Sequence, residues 1–140
     1  MISAFARPST GGAVGMSVEE RAGPLAARPE MATLNCGTLN FGDDVFVNTR
    51  PQIRDLAARI RAAGSMIELE CYEAGHVDEA MSLVKEGAIE APLHFQFVLG
   101  VTGGIAARED VLQFLVSLVP HGATWGCAAV GRHQRPMTEL

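Results

Sequence analysis

The stretch Ser9–Phe41, STGGAVGMSVEERAGPLAARPEMATLNCGTLNF, decides the fold. It opens on a glycine turn, continues as a charged helical segment and ends in a short strand closing on Thr and Asn. Strand end, helix and strand end in this order are how an α/β barrel gathers a site from the loops at the carboxyl ends of its strands. The same alternation runs on. Met31–Cys36 is a strand and a long loop follows it. Arg50–Ala63 is a helix, with Ile53, Leu56, Ala57 and Ile60 on one face, Pro51 at an early position and Gly64 as its stop. Ile67–Tyr72 alternates apolar and polar residues, and His76–Glu86 is a helix ended by Gly87. His94–Leu99 is a third strand, Arg108–Val119 a helix with Val111, Leu112, Leu115 and Leu118 on one side, and Thr124–Val130 the last strand. Strands separated by helices at this spacing are parallel βα units. No linker interrupts them, so 1–140 reads as one domain.

Strand phase separates a barrel from an open sheet. Residues two apart share a face. Thr33 and Asn35 share one, as do Glu68, Glu70 and Tyr72, and His94 and Gln96. Opposite them lie Ala32 and Leu34, Leu69 and Cys71, and Phe95 and Phe97. An open parallel sheet covered by helices is apolar on both faces. One polar face on three successive strands fits a barrel interior, where a substrate meets the polar groups. For any single residue the alternative is a buried group satisfied by a neighbour.

Composition sets the bounds. The chain has 140 residues, enough for one cored domain and short of a typical eight-unit barrel. Hydrophobic residues make up 48% and charged residues 19%, an ordinary globular balance. A net charge of -5 without a basic cluster excludes a nucleic-acid footprint. Cys36, Cys71 and Cys127 lie far apart in strand-like runs and read as reduced, buried hydrophobes of a cytoplasmic protein. No secretory leader and no apolar run of membrane-spanning length is present in the sequence.

Several segments carry chemistry. Ser9-Thr10-Gly11-Gly12 is either a plain turn or a cradle of backbone N–H groups for a carboxylate or phosphate. Thr102-Gly103-Gly104 is a second such turn at the end of the third strand. No nucleotide fingerprint accompanies them. Glu70 at an inward strand position needs a partner or a raised pKa, and suits a substrate ammonium or acid–base work. Glu68 shares its face and reads as deeper or structurally paired. Thr33 and Asn35 suit a carboxylate or keto oxygen. His94 is a ligand, a base or a bonded core histidine. His76, His121 and His133 read as exposed. Arg132, just past a strand end, either holds an anion or is a solvated loop residue.

Taken in order, STGG, RPEMATLNCGTLNFGDDVFVN, IELECYEAGHVDEA, PLHFQFVLGVTGG and ATWGCAAVGRHQ resemble the β-keto acid cleavage enzyme family, on its 3-keto-5-aminohexanoate side. The resemblance implies a (β/α)8 barrel and a zinc ion that polarises a β-keto acid. It implies acetyl-CoA as co-substrate, with retro-Claisen cleavage to acetoacetate and a new acyl-CoA. By the same resemblance Ser9 and Gly12 match strand-end substrate contacts, Thr33 and Asn35 a polar pair on the next strand, and Glu70 the glutamate that binds the substrate amino group. The family's His-x-His zinc pair and its GxxRxGxED-type last-strand motif have no counterpart in the sequence. The expectation is therefore a partial barrel, roughly units three to seven. It would carry substrate-binding residues but neither metal ligands nor the catalytic Arg–Asp dyad, be inactive alone, and self-associate through its open edges. Two other readings stand beside it: a non-catalytic remnant or binding module that closes a barrel with a like chain, and a metal-free barrel lyase using Glu70 and His94.

Overall fold

A computed structural model describes residues 7–139. Four strands form one parallel sheet in the order β1-β4-β5-β6, where β1 is Met31–Asn35, β4 Met66–Cys71, β5 His94–Leu99 and β6 Thr124–Ala129. Helices α2 (Arg50–Ala62), α3 (Ala74–Lys85) and α4 (Glu109–Ser117) make the crossovers. Each strand lies beside the next in sequence among these four, as in a partial α/β barrel. A parallel bridge from Ser9 to Thr33 extends the sheet beyond β1.

The alternation places the core as anticipated. Leu34, Leu69, Phe95, Phe97 and Leu99 are fully buried with Ile53, Leu56 and Ile60 of α2, Leu83 of α3 and Leu115 of α4. Full burial of one such side chain contributes about 1.5–3 kcal/mol, so this helix-facing layer holds the fold. The surface ion pairs Arg50–Glu79, Arg54–Glu86 and Arg59–Glu19 lace the helices together on the outside and add little each.

The hairpin and a closing helix were not anticipated, while the charged segment is helical as read. The long loop after Cys36 contains a hairpin, β2 (Leu39–Phe41) and β3 (Asp44–Phe46), with Phe41 opposite Asp44 across a two-residue Gly42-Asp43 turn. Gly42 has φ +65°, the conformation that such turns require. The charged segment folds as α1 (Val18–Ala22), started by a capping box in which the Ser17 amide donates to Glu20 Oε2 at 2.8 Å and the Glu20 amide to Ser17 Oγ at 3.2 Å. A short helix α5 (Gln134–Thr138) follows β6 and packs its Met137 into the core.

His76 corrects the sequence reading. It is 3% exposed. Helix α3 begins at Ala74, which turns the ring inward, where Nδ1 accepts the Tyr72 amide at 3.1 Å. A Cβ at Gly37 would stand 2.3 Å from that ring, so glycine there makes room for the histidine. Burial lowers the His76 pKa, so the ring is neutral. His121 is exposed, as read, while His133 is half-buried; Arg132 is exposed.

Candidate functional site

The polar phase of the sheet opens into a cavity of about 300 Å³ at the carboxyl ends of β1 and β4. It is lined by Gly11 to Val14, Asn35, Phe41, Phe46, Glu70 and Tyr72. Register explains the meeting of Asn35 and Glu70, which stand directly opposite in the β1–β4 pair. Asn35 Nδ2 donates to Glu70 Oε2 at 2.6 Å. An ionised carboxylate only accepts, so this bond fixes the amide orientation and leaves Asn35 Oδ1 free. That oxygen is buried with no hydrogen-bond partner among the described residues. Buried polar atoms are normally satisfied, and here the unused capacity is an acceptor beside a carboxylate. A ligand rich in donors would suit such a pair, and an ammonium brings three.

Glu70 titrates above its ordinary range. Burial is the main cause, the Asn35 hydrogen bond opposes it, the charge of Glu68 adds to it and Tyr72 opposes it. Folded Glu70 thus keeps its proton to higher pH than in the unfolded chain. Its ionisation reduces stability as pH rises through that range, and a cation set against it reverses the loss. Tyr72 is raised by burial first and by the Glu70 charge second, so its hydroxyl stays protonated.

The glycine turn forms the other wall. Three of its amides are used internally: Thr10 donates to Thr33 Oγ1 at 3.2 Å, Gly11 to Ser9 Oγ at 3.0 Å and Ala13 to Met16 Sδ at 3.0 Å. The Gly12 N–H has no partner among the described residues. The broad cradle therefore narrows to one amide, and glycine is needed there. Gly12 has φ +66°, and a Cβ would meet Met16 Sδ at 2.8 Å. A Cβ at Gly11 would meet Asn35 Oδ1 at 3.1 Å.

Of the five site residues read from the sequence, Gly12, Asn35 and Glu70 line the cavity. Ser9 and Thr33 do not; they form a hydrogen-bonded patch beside it. Thr33 Oγ1 donates to Ser9 Oγ at 3.2 Å, and Thr10 Oγ1 donates to the Thr33 carbonyl at 2.5 Å. Thr33 is thus engaged in holding the turn, while the Ser9 hydroxyl keeps its own proton to give. Glu68 lies deeper, 3.2 Å from Arg7 and 3.7 Å from His94. His94 Nδ1 is 2.7 Å from Thr124 Oγ1, and the ring is outside the cavity lining, so His94 is the bonded histidine rather than a base working with Glu70. The second glycine turn is a packing device: a Cβ at Gly103 would stand 2.4 Å from the Asn40 carbonyl oxygen, which only glycine permits.

Arg21 was not anticipated. It is 2% exposed. Its Nε donates to the Thr10 carbonyl at 2.7 Å, Nη2 to Asn48 Oδ1 at 2.6 Å and Nη1 to the Val47 carbonyl at 3.4 Å. The guanidinium lies 5.1 Å from the Phe46 ring centroid. It ties the glycine turn to the exit of the hairpin, the two walls of the cavity. The sequence holds one signal for it: Val18, Arg21, Ala22 and Leu25 share the helical stripe that turns inward.

The residues present do not fit a zinc ion. Among the described residues no three His, Cys, Asp or Glu side chains group so as to hold a metal. Among them also, no helix is long and apolar enough to cross a membrane.

A partial α/β barrel with its polar groups at the carboxyl ends of the strands is the architecture of a barrel enzyme's substrate site. The sequence profile of the beta-keto acid cleavage enzyme family matches residues 3–140, and the chain belongs to that family. It is 44% identical over 138 residues to a 3-keto-5-aminohexanoate cleavage enzyme of Acetoanaerobium sticklandii, covering 98% of this chain and 50% of that protein. It is 47% identical over 135 residues to a protein of the same name from Fusobacterium nucleatum, covering 96% of this chain and 49% of that one. A 3-oxoadipate:acetyl-CoA acetyltransferase of Cupriavidus necator is 36% identical over 133 residues, covering 92% of this chain and 46% of the relative. The chain thus spans about half the length of these relatives. A solved structure, the binary complex of ObcA with oxaloacetate, superposes with a TM-score of 0.64 at 16% identity, over 95% of this chain and 38% of that one, and supports the fold alone.

Proposed function

We propose that this chain forms the substrate-holding part of a β-keto acid cleavage enzyme that acts on an amino-substituted β-keto acid with acetyl-CoA. The observation that carries this is the pair of acceptors, Glu70 and the unpartnered Oδ1 of Asn35, set together in one cavity. In this reading they hold the substrate ammonium. The Gly12 amide and the Ser9 hydroxyl hold the carboxylate or keto oxygen, with Thr33 positioning Ser9. Fixing both ends of the substrate orients the keto group, which is how binding residues lower a reaction barrier. The names of the two relatives from Acetoanaerobium and Fusobacterium support the amino-substituted class, and the Cupriavidus name supports acetyl-CoA as the second substrate. The zinc that the resemblance implies belongs to this proposal only for a whole enzyme. The described part corresponds in this reading to units three to seven of a cytoplasmic barrel enzyme, and by itself is expected to bind rather than turn over substrate.

The test is a calorimetric titration of the protein across pH with 5-amino-3-hydroxyhexanoate, a non-cleavable analogue. Glu70 must ionise to meet an ammonium. Affinity is expected to climb as pH rises through the raised Glu70 titration, up to about tenfold per pH unit, and then level off. An analogue with a methyl in place of the amino group should show no such climb. A flat profile for the amino compound would remove Glu70 from the role.

We also propose self-association. β6 is the outer strand of the sheet; its own Trp125 is 45% exposed, and Phe114 of α4 is 52% exposed. Open edges with apolar surface favour association. Sedimentation is expected to give a mass above that of one chain; a monomer at all concentrations would contradict this.

A further inference from the structure

The hairpin missed in the sequence places an aromatic ring on the cavity. Phe41 is the last residue before the turn and is 42% exposed. Its ring lies 6.4 Å from that of Tyr72 at 73° and 6.2 Å from that of Phe46 at 67°. All three rings line the cavity that holds Glu70 and Asn35. The Phe46 ring already has the Arg21 guanidinium against it, which leaves Phe41 and Tyr72 to serve a ligand. The hairpin is also pinned. The Gly42 amide donates to the Thr102 carbonyl at 2.9 Å, and the chain at Gly103 abuts Asn40 too closely for any side chain. Core packing does not account for a phenylalanine left 42% exposed on the same cavity as Glu70 and Asn35.

We propose that Phe41 is a specificity-determining residue of this site: its ring, with Tyr72, forms an aromatic wall that selects a substrate bearing a cationic group over a neutral one of the same shape. This rests on the assignment of Glu70 and Asn35 as the ammonium acceptors. An aromatic face attracts a cation through its quadrupole, and the attraction strengthens as water is excluded. A neutral alkyl group gains only apolar contact from the same ring. Glu70 and Asn35 supply charge and acceptors, and Phe41 supplies an aromatic face on the same cavity, which a bound ligand would shield from water.

The experiment compares wild type, Phe41→Leu and Phe41→Tyr by calorimetry with two ligands, 5-amino-3-hydroxyhexanoate and its isostere 3-hydroxy-5-methylhexanoate. Leucine keeps the apolar bulk and removes the π face. Phe41→Leu is expected to weaken the amino ligand roughly three- to tenfold and leave the methyl isostere within about twofold, with Phe41→Tyr close to wild type for both. Phe41 is partly exposed, so the unfolding midpoint should hold, and measuring it excludes a folding defect. Equal losses for both ligands, or no loss for either, would overturn the proposal, since the ring would then be a plain apolar wall or a bystander. If Glu70→Gln discriminates the ligands and Phe41→Leu does not, the inference fails and the Glu70 assignment stands. If wild type binds the methyl isostere as well as the amine, or binds neither, both fall together.

Discussion

Glu70→Gln is expected to weaken binding of an amino-substituted β-keto acid by about 30-fold or more, while an uncharged analogue stays within about threefold. Removing one member of a buried, hydrogen-bonded charge pair costs about 2–5 kcal/mol, and 1.4 kcal/mol is roughly tenfold in affinity. Glutamine keeps the shape and can still accept from Asn35 Nδ2, so the packing of β1 against β4 survives. Only the charge is lost, and only a cationic ligand registers it. The variant should also lose the pH dependence of affinity, because the titrating group is gone. Calorimetry on the variant with both ligands checks this; equal losses would mean that Glu70 shapes the cavity without contacting an ammonium.

Arg21→Ala is expected to destabilise the fold by about 2–4 kcal/mol. The guanidinium is buried and serves three acceptors, the Thr10 and Val47 carbonyls and Asn48 Oδ1. Each buried acceptor left without a donor costs about 1–3 kcal/mol, partly relieved by water entering the gap. Among the described residues no carboxylate forms an ion pair with Arg21. Its removal therefore strands no opposite charge, and the loss comes from unpaired acceptors and the vacated volume. Arg21→Lys should recover only part, since one ammonium cannot reproduce the planar fork that reaches the glycine turn and the hairpin exit together. Urea unfolding read by circular dichroism measures the change, and a shift below about 0.5 kcal/mol, the range of ordinary surface substitutions, would show that the clamp is dispensable. Ligand binding should weaken as well, because the two cavity walls lose their tie.

The sheet was legible because its strands obey a strict two-residue period over apolar and polar faces. Leu69 and Phe95 could only turn to the helices once Glu70 and Gln96 turned the other way. The Asn35–Glu70 meeting was half legible: phase put both on one face, and register, which a sequence does not state, put them side by side. Glu68 and Glu70 share a phase and differ only in depth along the strand, so their separate surroundings became visible with the structure. The hairpin was passed over because its strands are three residues each, too short for a period to show, although Gly42-Asp43 between Phe41 and Asp44 is a turn signal. Arg21 and His76 escaped for a different reason. Such residues are placed by groups a local period does not show, Thr10 and Asn48 for the arginine, and for the histidine the Tyr72 amide together with the space left at Gly37. The family was legible from five separated motifs in order, and the profile match over residues 3–140 agrees with it.

The most direct measurement of the central claim is amide-resolved NMR of the isotopically labelled protein during titration with 5-amino-3-hydroxyhexanoate. The Gly12 backbone amide and the Asn35 side-chain amide are the two reporters, one for each end of the bound ligand. The account predicts that both shift together and saturate at one equivalent, with Glu70 and Tyr72 amides following and those around His94 and Trp125 unmoved. Shifts confined to His94, Glu68 or the β6 edge, with Gly12 and Asn35 unchanged at saturation, would contradict it.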